Sequence, residues 1–192
     1  MKTVIGISGK SQHGKDTIAD YLISRYGGTK VAFADLVKEQ AKYIGWDGEK
    51  DTGGRTLLQK ISEPIKEYGN WLAKKYPERC SDFGGDSYYA ASLYNKIKSS
   101  NENLFFVSDL RFDKEYSLFS NKKDIHFIKI RVYRTNNGHL FDNGMTIEQM
   151  LHESEMALDD KTFDYYFDND GSLEDLYKKL DDSSLKEVLE RA

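Results

Sequence analysis

Alternating apolar strands and helical segments predict an α/β fold with a mostly parallel central sheet. Three observations carry this prediction. The chain opens with an apolar strand that ends in glycine, a segment with helical spacing follows it, and further apolar segments recur between helical ones. The 192 residues are enough to bury a core in one domain without disulfides.

The first half of the chain contains two predicted strands and four predicted helices. Short apolar runs indicate strands at 3–7 and 30–33. Apolar residues at every third or fourth position predict a helix over 15–26. Three more helices are expected, the second of them interrupted or restarted near Pro64: residues 36–44, 56–75 and 87–98.

The second half continues the alternation. A buried strand is predicted at 104–107, an alternating strand at 125–133 and a last strand at 163–167. Two terminal helices, over 172–180 and 183–191, each begin at a serine that can cap the first turn. Three glycine-containing stretches are expected to be loops, the third of them mobile: 45–55, 82–86 and 135–146.

The composition excludes several classes of protein. Charged residues at 31% beside hydrophobic residues at 39% exclude a disordered tail, and no apolar run approaches the roughly 20 residues of a membrane span. The single cysteine, Cys80, excludes an internal disulfide framework and a cysteine-based zinc site. The net charge of -4 argues against a nucleic-acid-binding surface. We therefore expect a cytoplasmic protein that does not associate with membranes.

The strongest motif is a phosphate-binding loop at 9–17, Gly-Lys-Ser-Gln-His-Gly-Lys-Asp-Thr. It matches Gly-x4-Gly-Lys and lies between a predicted strand and a predicted helix, where this motif must lie. Glycines let the backbone curl so that successive N–H groups point at phosphate oxygens, and the helix N-terminus adds a positive dipole. Lys15 can then reach the β- and γ-phosphates as a point charge.

The residue after this lysine departs from the usual serine or threonine. Asp16 stands there, and Thr17 follows it. A carboxylate at this position can hold Mg²⁺ directly or through water, while Thr17 can contact the α-phosphate. Alternatively, Asp16 is an acidic residue favoured in a first turn by the helix dipole.

Two other strand ends supply candidate polar groups. Asp109 follows the strand at 104–107, at the edge where α/β proteins bind ligands, and can accept a hydrogen bond from a Mg²⁺-bound water. Arg111 can bind two oxygens of a phosphate through its planar guanidinium, or it can form a surface ion pair with Asp109. Asp35 can position or deprotonate an acceptor group, or cap the following helix.

Two short matches to GTPase motifs fail on context. Asn-Lys-Lys-Asp at 121–124 precedes a strand instead of following one, and Asp-Phe-Gly-Gly at 82–85 follows a polar segment. A nucleotide-binding switch would need its base-reading motif in the right place, so these matches do not support one.

The ordered set of motifs resembles a known family. The motifs are Gly-Lys-Asp-Thr at 14–17, Phe-Ala-Asp at 33–35, Arg-Thr-Leu-Leu-Gln at 55–59, Ser-Asp-Leu-Arg-Phe at 108–112, His-Glu-Ser-Glu at 152–155 and Phe-Asp-Asn-Asp-Gly-Ser-Leu at 167–173. Together they resemble the bacteriophage-type deoxynucleoside monophosphate kinases, relatives of the animal phosphomevalonate kinase. The resemblance implies a three-layer P-loop kinase fold, with a five-stranded parallel sheet and helices on both faces. It implies one domain over 1–192, with a helical acceptor-binding region near 45–100 and a lid-like segment near 134–160.

The resemblance also implies the reaction, which transfers the γ-phosphoryl group of ATP to a deoxynucleoside monophosphate with Mg²⁺ as cofactor. The partners would be small-molecule nucleotides, a homodimer is allowed, and the location would be the cytoplasm, that of the host for a bacteriophage protein. The implied catalytic residues are Lys15, Asp35 and Arg111. The implied ATP contacts are Gly9, Ser11, Gln12, His13, Gly14, Lys15, Asp16, Thr17, Arg134, Asn169 and Gly171. The implied acceptor contacts are Asp35, Lys38, Arg55, Gln59 and Arg111, and the implied metal contacts are Asp16 and Asp109.

Two departures from the family concern the acceptor pocket. Leu36 stands where the family often has proline, and Tyr88 or Tyr89 replaces a common tryptophan. The His152 and Glu155 pair matches a family element, or is a pair on a helix surface.

Two other hypotheses stay open. The acceptor can instead be phosphomevalonate, dephospho-coenzyme A or a modified base in DNA, or the chain can be a nucleotide-binding regulator with little turnover. Three arginines favour a kinase, because two phosphorylated ligands repel each other unless cations lie between them: Arg55, Arg111 and Arg134.

Overall fold

The computed structural model describes residues 1–49, 51–76, 88–120, 122–136, 138–141 and 144–192, except for the side chains at 52, 55, 73, 88, 140, 148 and 149. The chain divides into two compact units, one formed by Met1–Val31 and Ser100–Ala192 and the other by Ala32–Ser99. The single-domain organisation, with an acceptor-binding region near 45–100 and a lid near 134–160, stays a prediction.

The first unit contains a five-stranded sheet whose strands are all parallel. The strands of the described residues are β1 (Lys2–Ser8), β2 (Thr29–Val31), β3 (Leu104–Val107), β4 (Ile125–Tyr133), β5 (Thr135–Asn136), β6 (His139–Leu140) and β7 (Tyr165–Asp168). The order across the sheet is β2-β3-β1-β4-β7, and β5 and β6 form a separate antiparallel pair. The predicted α/β class with a five-stranded parallel sheet is confirmed.

Helices flank this sheet and form most of the second unit. The helices of the described residues are α1 (Lys15–Tyr26), α2 (Asp35–Tyr43), α3 (Thr52–Lys75), α4 (Tyr88–Ser99), α5 (Asp113–Ser117), α6 (Ile147–Met150), α7 (Glu153–Met156), α8 (Leu173–Asp181) and α9 (Leu185–Leu189). None of them is both long and apolar enough to cross a membrane.

The core of the first unit follows from the register of the central strands. Ile5 pairs with Phe106 on one side and Ile128 on the other, so the three side chains form one apolar surface. Isoleucine and leucine side chains of α1, α8 and α9 pack against that surface. The opposite face is buried as well, since Val4 and Phe105 are 0% and 1% exposed. Burial on both faces explains why these strands are continuous apolar runs.

The second unit is helical, and its longest helix corrects one prediction. The Asp51 side chain accepts a hydrogen bond from the N–H of Gly54 (2.7 Å) and so caps α3. The interruption expected near Pro64 is wrong, because α3 continues through it from Thr52 to Lys75. A proline removes one N–H group, and in a helix of 24 residues the other hydrogen bonds and the packing of α3 on α2 and α4 outweigh that loss.

Two strand boundaries also differ from the predictions. The second strand ends at Val31 because the N–H of Ala32 donates to the Asp35 carboxylate (2.9 Å) instead of joining the sheet. The last strand begins at Tyr165, because Phe163 packs edge-on against Tyr116 outside the sheet.

The segment predicted to be a mobile loop, 135–146, contains the β5–β6 pair, and the loop expected over 45–55 ends where α3 begins at Thr52. The last helix is shorter than predicted, since it starts after Ser184 instead of Ser183 and ends at Leu189. The loop predicted at 82–86 lies outside the described residues.

The packing of α8 on the sheet predicts the effect of two leucine substitutions. Leu176 is 1% exposed, and Leu176→Ala should lower the free energy of unfolding by about 2–5 kcal/mol, because it removes apolar contacts and leaves a cavity. Leu173, in the same helix, is 51% exposed, and Leu173→Ala should change that free energy by less than about 0.5 kcal/mol. Urea unfolding followed by circular dichroism measures both, and equal losses would contradict the observed packing.

Candidate phosphate-binding site

The predicted phosphate-binding loop connects the end of β1 at Ser8 to the start of α1 at Lys15. Two of its residues must be glycine. A Cβ on Gly9 would lie 2.7 Å from the carbonyl oxygen of Val132, and a Cβ on Gly14 would lie 2.5 Å from Nδ2 of Asn169. Gly14 also has a φ of 105°, which disfavours other residues. The loop therefore passes close to the ends of β4 and β7.

Lys15 is buried at the first position of α1, and its ammonium group closes over the loop. The Nζ donates to the carbonyl oxygens of Gly9 (2.7 Å) and Lys10 (2.8 Å). Desolvation lowers the pKa of Lys15 to about 8, with a further contribution from the Arg111 charge. An ammonium group so poorly solvated has a strong electrostatic preference for a bound anion.

A side chain that follows β7 and a backbone N–H that follows β4 both hold His13 of the loop. Asn169 is buried and its Nδ2 donates to the carbonyl oxygen of His13 (3.0 Å). The Nδ1 of His13 accepts the N–H of Arg134 (3.2 Å), and burial lowers the pKa of His13, which favours the neutral, accepting ring. The Arg134 guanidinium lies 4.3 Å from the ring centre of Phe141. These contacts fix the path of the loop backbone.

The other ATP-contact predictions lie on the surface around the loop. Gln12 is exposed and has a φ of 62°, while Thr17 is half-buried in the first turn of α1. Gly171 is exposed, and a Cβ there would lie 2.7 Å from Oδ2 of Asp175, which accepts the Ser172 N–H at the start of α8. Because Gly171 has no Cβ, the Asp175 carboxylate can reach the Ser172 N–H and complete the N-terminal cap of α8.

Arg111 and Glu155 form an ion pair directly at the loop. The Nη1 of Arg111 pairs with Oε1 of the buried Glu155 and also donates to the carbonyl oxygen of Ser154 (3.4 Å). The second carboxylate oxygen, Oε2, accepts the backbone N–H of Ser11 (2.7 Å). Arg111 therefore lies at the loop, where Glu155 contacts both its guanidinium and the loop backbone.

Asp16 is held at the start of α1 by a hydroxyl and a cation. Ser108 Oγ donates to its Oδ1 (2.8 Å), and Lys30 Nζ lies 2.7 Å from the same oxygen. Lys30 also pairs with Asp20 (3.0 Å), one turn further along α1. The carboxylate is 71% exposed, so its position is fixed while it remains accessible to solvent.

Asp109 follows β3, and its charge adds to desolvation in raising the pKa of the nearby Glu115 carboxyl group. Desolvation, and then the Asp109 charge, raise the pKa of Glu115 to about 8. The Glu115 carboxylate accepts the N–H groups of Arg111 (2.7 Å) and Phe112 (3.0 Å) before α5. Glu115 thereby fixes the backbone from which Arg111 projects.

The remaining predicted acceptor contacts belong to the second unit. Asp35 is the first residue of α2, whose N-cap is Ala34, so the alternative interpretation of Asp35 as the N-cap is wrong. Its carboxylate lies 3.9 Å from Nζ of Lys38 and 3.4 Å from Nζ of Lys96. Gln59 is exposed on α3. Arg55 lies on α3 as well, and its side chain falls outside the described part.

Several groups that support the loop were not predicted from the sequence. Asp159 pairs with Lys10 (3.0 Å) and with Arg131, whose Nη1 donates to Ser8 Oγ (2.9 Å). Arg131 and Ser8 are register partners on β4 and β1. A charged residue between Ile130 and Val132 in a buried strand was the available signal, because a buried cation requires an anionic or polar partner.

A cavity of about 220 Å³ adjoins the loop within the first unit. Its polar side is formed by Lys10, His13 and Glu155. Its other walls are apolar and rich in methionine, a side chain that adapts to ligands of different shape: Phe141, Met145, Ile147, Met150, Leu151 and Met156. Charged and apolar side chains therefore line the same cavity.

The chain shares its fold with a protein of known structure. No protein-family model matches it, and neither does any curated protein. The crystal structure of TT1252 from Thermus thermophilus superposes with a TM-score of 0.53 at 18% identity, covering 97% of this chain and 98% of that one. This likeness shows a common fold.

Two kinases show weaker similarities. Shikimate kinase from Acinetobacter baumannii, in complex with shikimate, has a TM-score of 0.48 at 11% identity, covering 100% of this chain and 94% of that one. A gluconokinase from Sinorhizobium meliloti 1021 has a TM-score of 0.45 at 11% identity, covering 92% and 88%.

The lowered pKa of Lys15 predicts how phosphate binding depends on pH. Affinity for inorganic tripolyphosphate should be highest below pH 8 and should fall above it by up to about tenfold per pH unit, because the lysine loses its charge while the phosphates remain anionic. Isothermal titration calorimetry between pH 7 and 10 measures this slope.

The matched variant is Lys15→Arg, whose guanidinium stays charged throughout this range. Its affinity should be nearly independent of pH, whatever its absolute value. A slope equal to that of the wild type would show that another group titrates, and would contradict the assignment to Lys15.

Proposed function

We propose that this protein transfers the γ-phosphoryl group of ATP to a deoxynucleoside monophosphate. The observation that carries the proposal is the buried Lys15 at the start of α1, behind a glycine-bounded loop that follows the central strand of the sheet. Backbone N–H groups, a helix dipole and an ammonium group at such a loop would together bind the polyphosphate of a nucleotide. The ordered motifs that resemble the deoxynucleoside monophosphate kinases support the choice of acceptor.

In this mechanism Lys15 holds the β- and γ-phosphates, and arginines reduce the repulsion between donor and acceptor. Arg111 lies at the loop, where its guanidinium would contact the transferred group and the acceptor phosphate. Arg134, after β4, contacts the donor phosphates. Their positive charges stabilise the transition state, in which negative charge spreads over the transferred oxygens.

Mg²⁺ would neutralise charge on the phosphates and hold them in position. Within the described part of the chain, no group of three or more His, Cys, Asp or Glu side chains can hold a metal ion. A Mg²⁺ bound with the nucleotide would take most of its ligands from phosphates and water. Asp16 suits the protein ligand because it directly follows Lys15 and its exposed carboxylate is fixed by Ser108 and Lys30, and Asp109 suits a contact through water.

The second unit would bind the acceptor. We assign this role to Asp35, Lys38, Arg55 and Gln59 from the motif resemblance. An acceptor phosphate has a second pKa of about 6 and is largely ionised at neutral pH, so it needs no general base. Asp35 would therefore position the acceptor, together with the cations beside it.

ADP release with a panel of acceptors tests the proposal. We expect turnover with at least one deoxynucleoside monophosphate, and a loss of at least about 10²-fold in kcat for Lys15→Ala, because the lysine contacts the transferred group in the transition state. The panel includes phosphomevalonate and dephospho-coenzyme A, and also shikimate and gluconate, which present only hydroxyl groups as acceptors.

Each other result has a definite meaning. Activity confined to phosphomevalonate or dephospho-coenzyme A would keep the kinase and change its acceptor. Activity confined to shikimate or gluconate would exclude a phosphorylated acceptor. Tight ATP binding without turnover on any acceptor would favour a regulator or an acceptor in DNA. Near-normal turnover by Lys15→Ala would contradict the phosphate-loop assignment.

The position of Asp16 predicts a selective effect on metal use. Asp16→Asn should raise the Mg²⁺ concentration for half-maximal rate by about tenfold or more, with little change in the ATP requirement at saturating metal, because an amide is a weaker ligand for Mg²⁺. Asp20→Asn is the control, since Asp20 shares the contact with Lys30 and is similarly exposed. If both variants need the same Mg²⁺ concentration for half-maximal rate, Asp16 is not a metal ligand. It would then be an acidic first-turn residue favoured by the helix dipole.

A further inference from the structure

The Glu155 carboxylate occupies a set of contacts typical of a bound phosphate. Its two oxygens accept the backbone N–H of Ser11 in the loop (2.7 Å) and pair with the Arg111 guanidinium. Its charge also raises the pKa of Lys15, against the larger effect of desolvation, so the ammonium group lies within its field. A loop N–H, a guanidinium and a nearby ammonium are the donors that proteins offer to phosphate oxygens.

A second carboxylate on the same segment also binds the loop. Asp159, four residues after Glu155, pairs with Lys10 of the loop (3.0 Å) and with Arg131 beneath it. The stretch 153–159, which contains α7, is therefore docked on cations and N–H groups at the phosphate loop. Its anionic side chains and an incoming polyphosphate would compete for the same donors.

We propose that Glu155 is an internal substitute for a phosphate group, which the nucleotide displaces when it binds. A carboxylate and a phosphate cannot share the Ser11 N–H and the Arg111 guanidinium, because their like charges repel at this distance. Displacement moves the Glu155 charge into solvent and releases α7 from the loop, while Asp159 remains paired with the buried Arg131. This inference rests on the proposed function, since it requires that the loop binds a polyphosphate.

The competing interpretation keeps Glu155 in place as a positioning residue for Arg111. The two interpretations differ in the sign of one measurement. If the carboxylate must leave, its charge opposes ligand binding, and neutralising it strengthens binding. If the carboxylate stays and orients the guanidinium, neutralising it weakens binding or leaves it unchanged.

Isothermal titration calorimetry with inorganic tripolyphosphate, without metal, measures that sign. We expect Glu155→Gln to bind at least about tenfold more tightly than the wild type, because the amide has the same shape but does not hold Arg111 by charge. Glu153→Gln is the control, because Glu153 is exposed in the same short helix and its change also removes one negative charge. Its affinity should change by less than about twofold.

Hydrogen exchange on the wild-type protein tests the release of the segment without any substitution. The N–H of Glu155 donates to the carbonyl oxygen of His152 (2.9 Å), and the N–H of Ala157 donates to the carbonyl oxygen of Glu153 (2.8 Å). Exchange at these two amides should become faster when tripolyphosphate is added. Unchanged or slower exchange would overturn the release of the segment.

The outcomes separate the inference from the proposed function. Binding by the wild type and by Glu155→Gln with equal affinity, or weaker binding by the variant, overturns the inference and leaves the phosphate site intact. Tighter binding by the variant supports both. No binding by either protein overturns the phosphate site and the inference together.

Discussion

Two cations removed from water at the carboxyl edge of the sheet govern the arrangement of the first unit. Lys15 and Arg131 are 8% and 4% exposed, and a buried charge requires polar or anionic partners. Lys15 uses loop carbonyl oxygens, and Arg131 uses Ser8 and Asp159. The loop path, the polar end of β1 and the docking of the stretch around α7 all follow from this requirement.

Local sequence pattern predicted the parallel sheet and the phosphate loop, because both depend on neighbouring residues. Continuous apolar runs identify strands that are buried on both faces, and the spacing of Gly9, Gly14 and Lys15 marks the turn into α1. The same patterns gave wrong element boundaries where contacts with residues distant in sequence determine the structure. Pro64 is accommodated by neighbours of α3, and Phe163 leaves the last strand to pack against Tyr116.

The partners of the site were beyond sequence reasoning for a related reason. Ser11 and Glu155 are separated by 144 positions, and Ser108 and Asp16 by 92, so no periodicity relates them. The motif at 152–155 was visible in the sequence, but its contact with the loop depends on the fold. Arg131 was the one local signal, since a charge inside a buried strand must be compensated by residues elsewhere in the chain.

The strand order has a consequence for how the chain folds during synthesis. The central strand, β1, is made before both of its neighbours, which begin at Leu104 and Ile125. One edge of β1 thus stays without a sheet partner on the ribosome until β3 has emerged, and the other edge until β4 has emerged, while the helical stretch Ala32–Ser99 lies between β2 and β3 in sequence and depends on more local contacts. An apolar strand with two open edges is prone to aggregation, so the nascent chain is most vulnerable before β4 is complete.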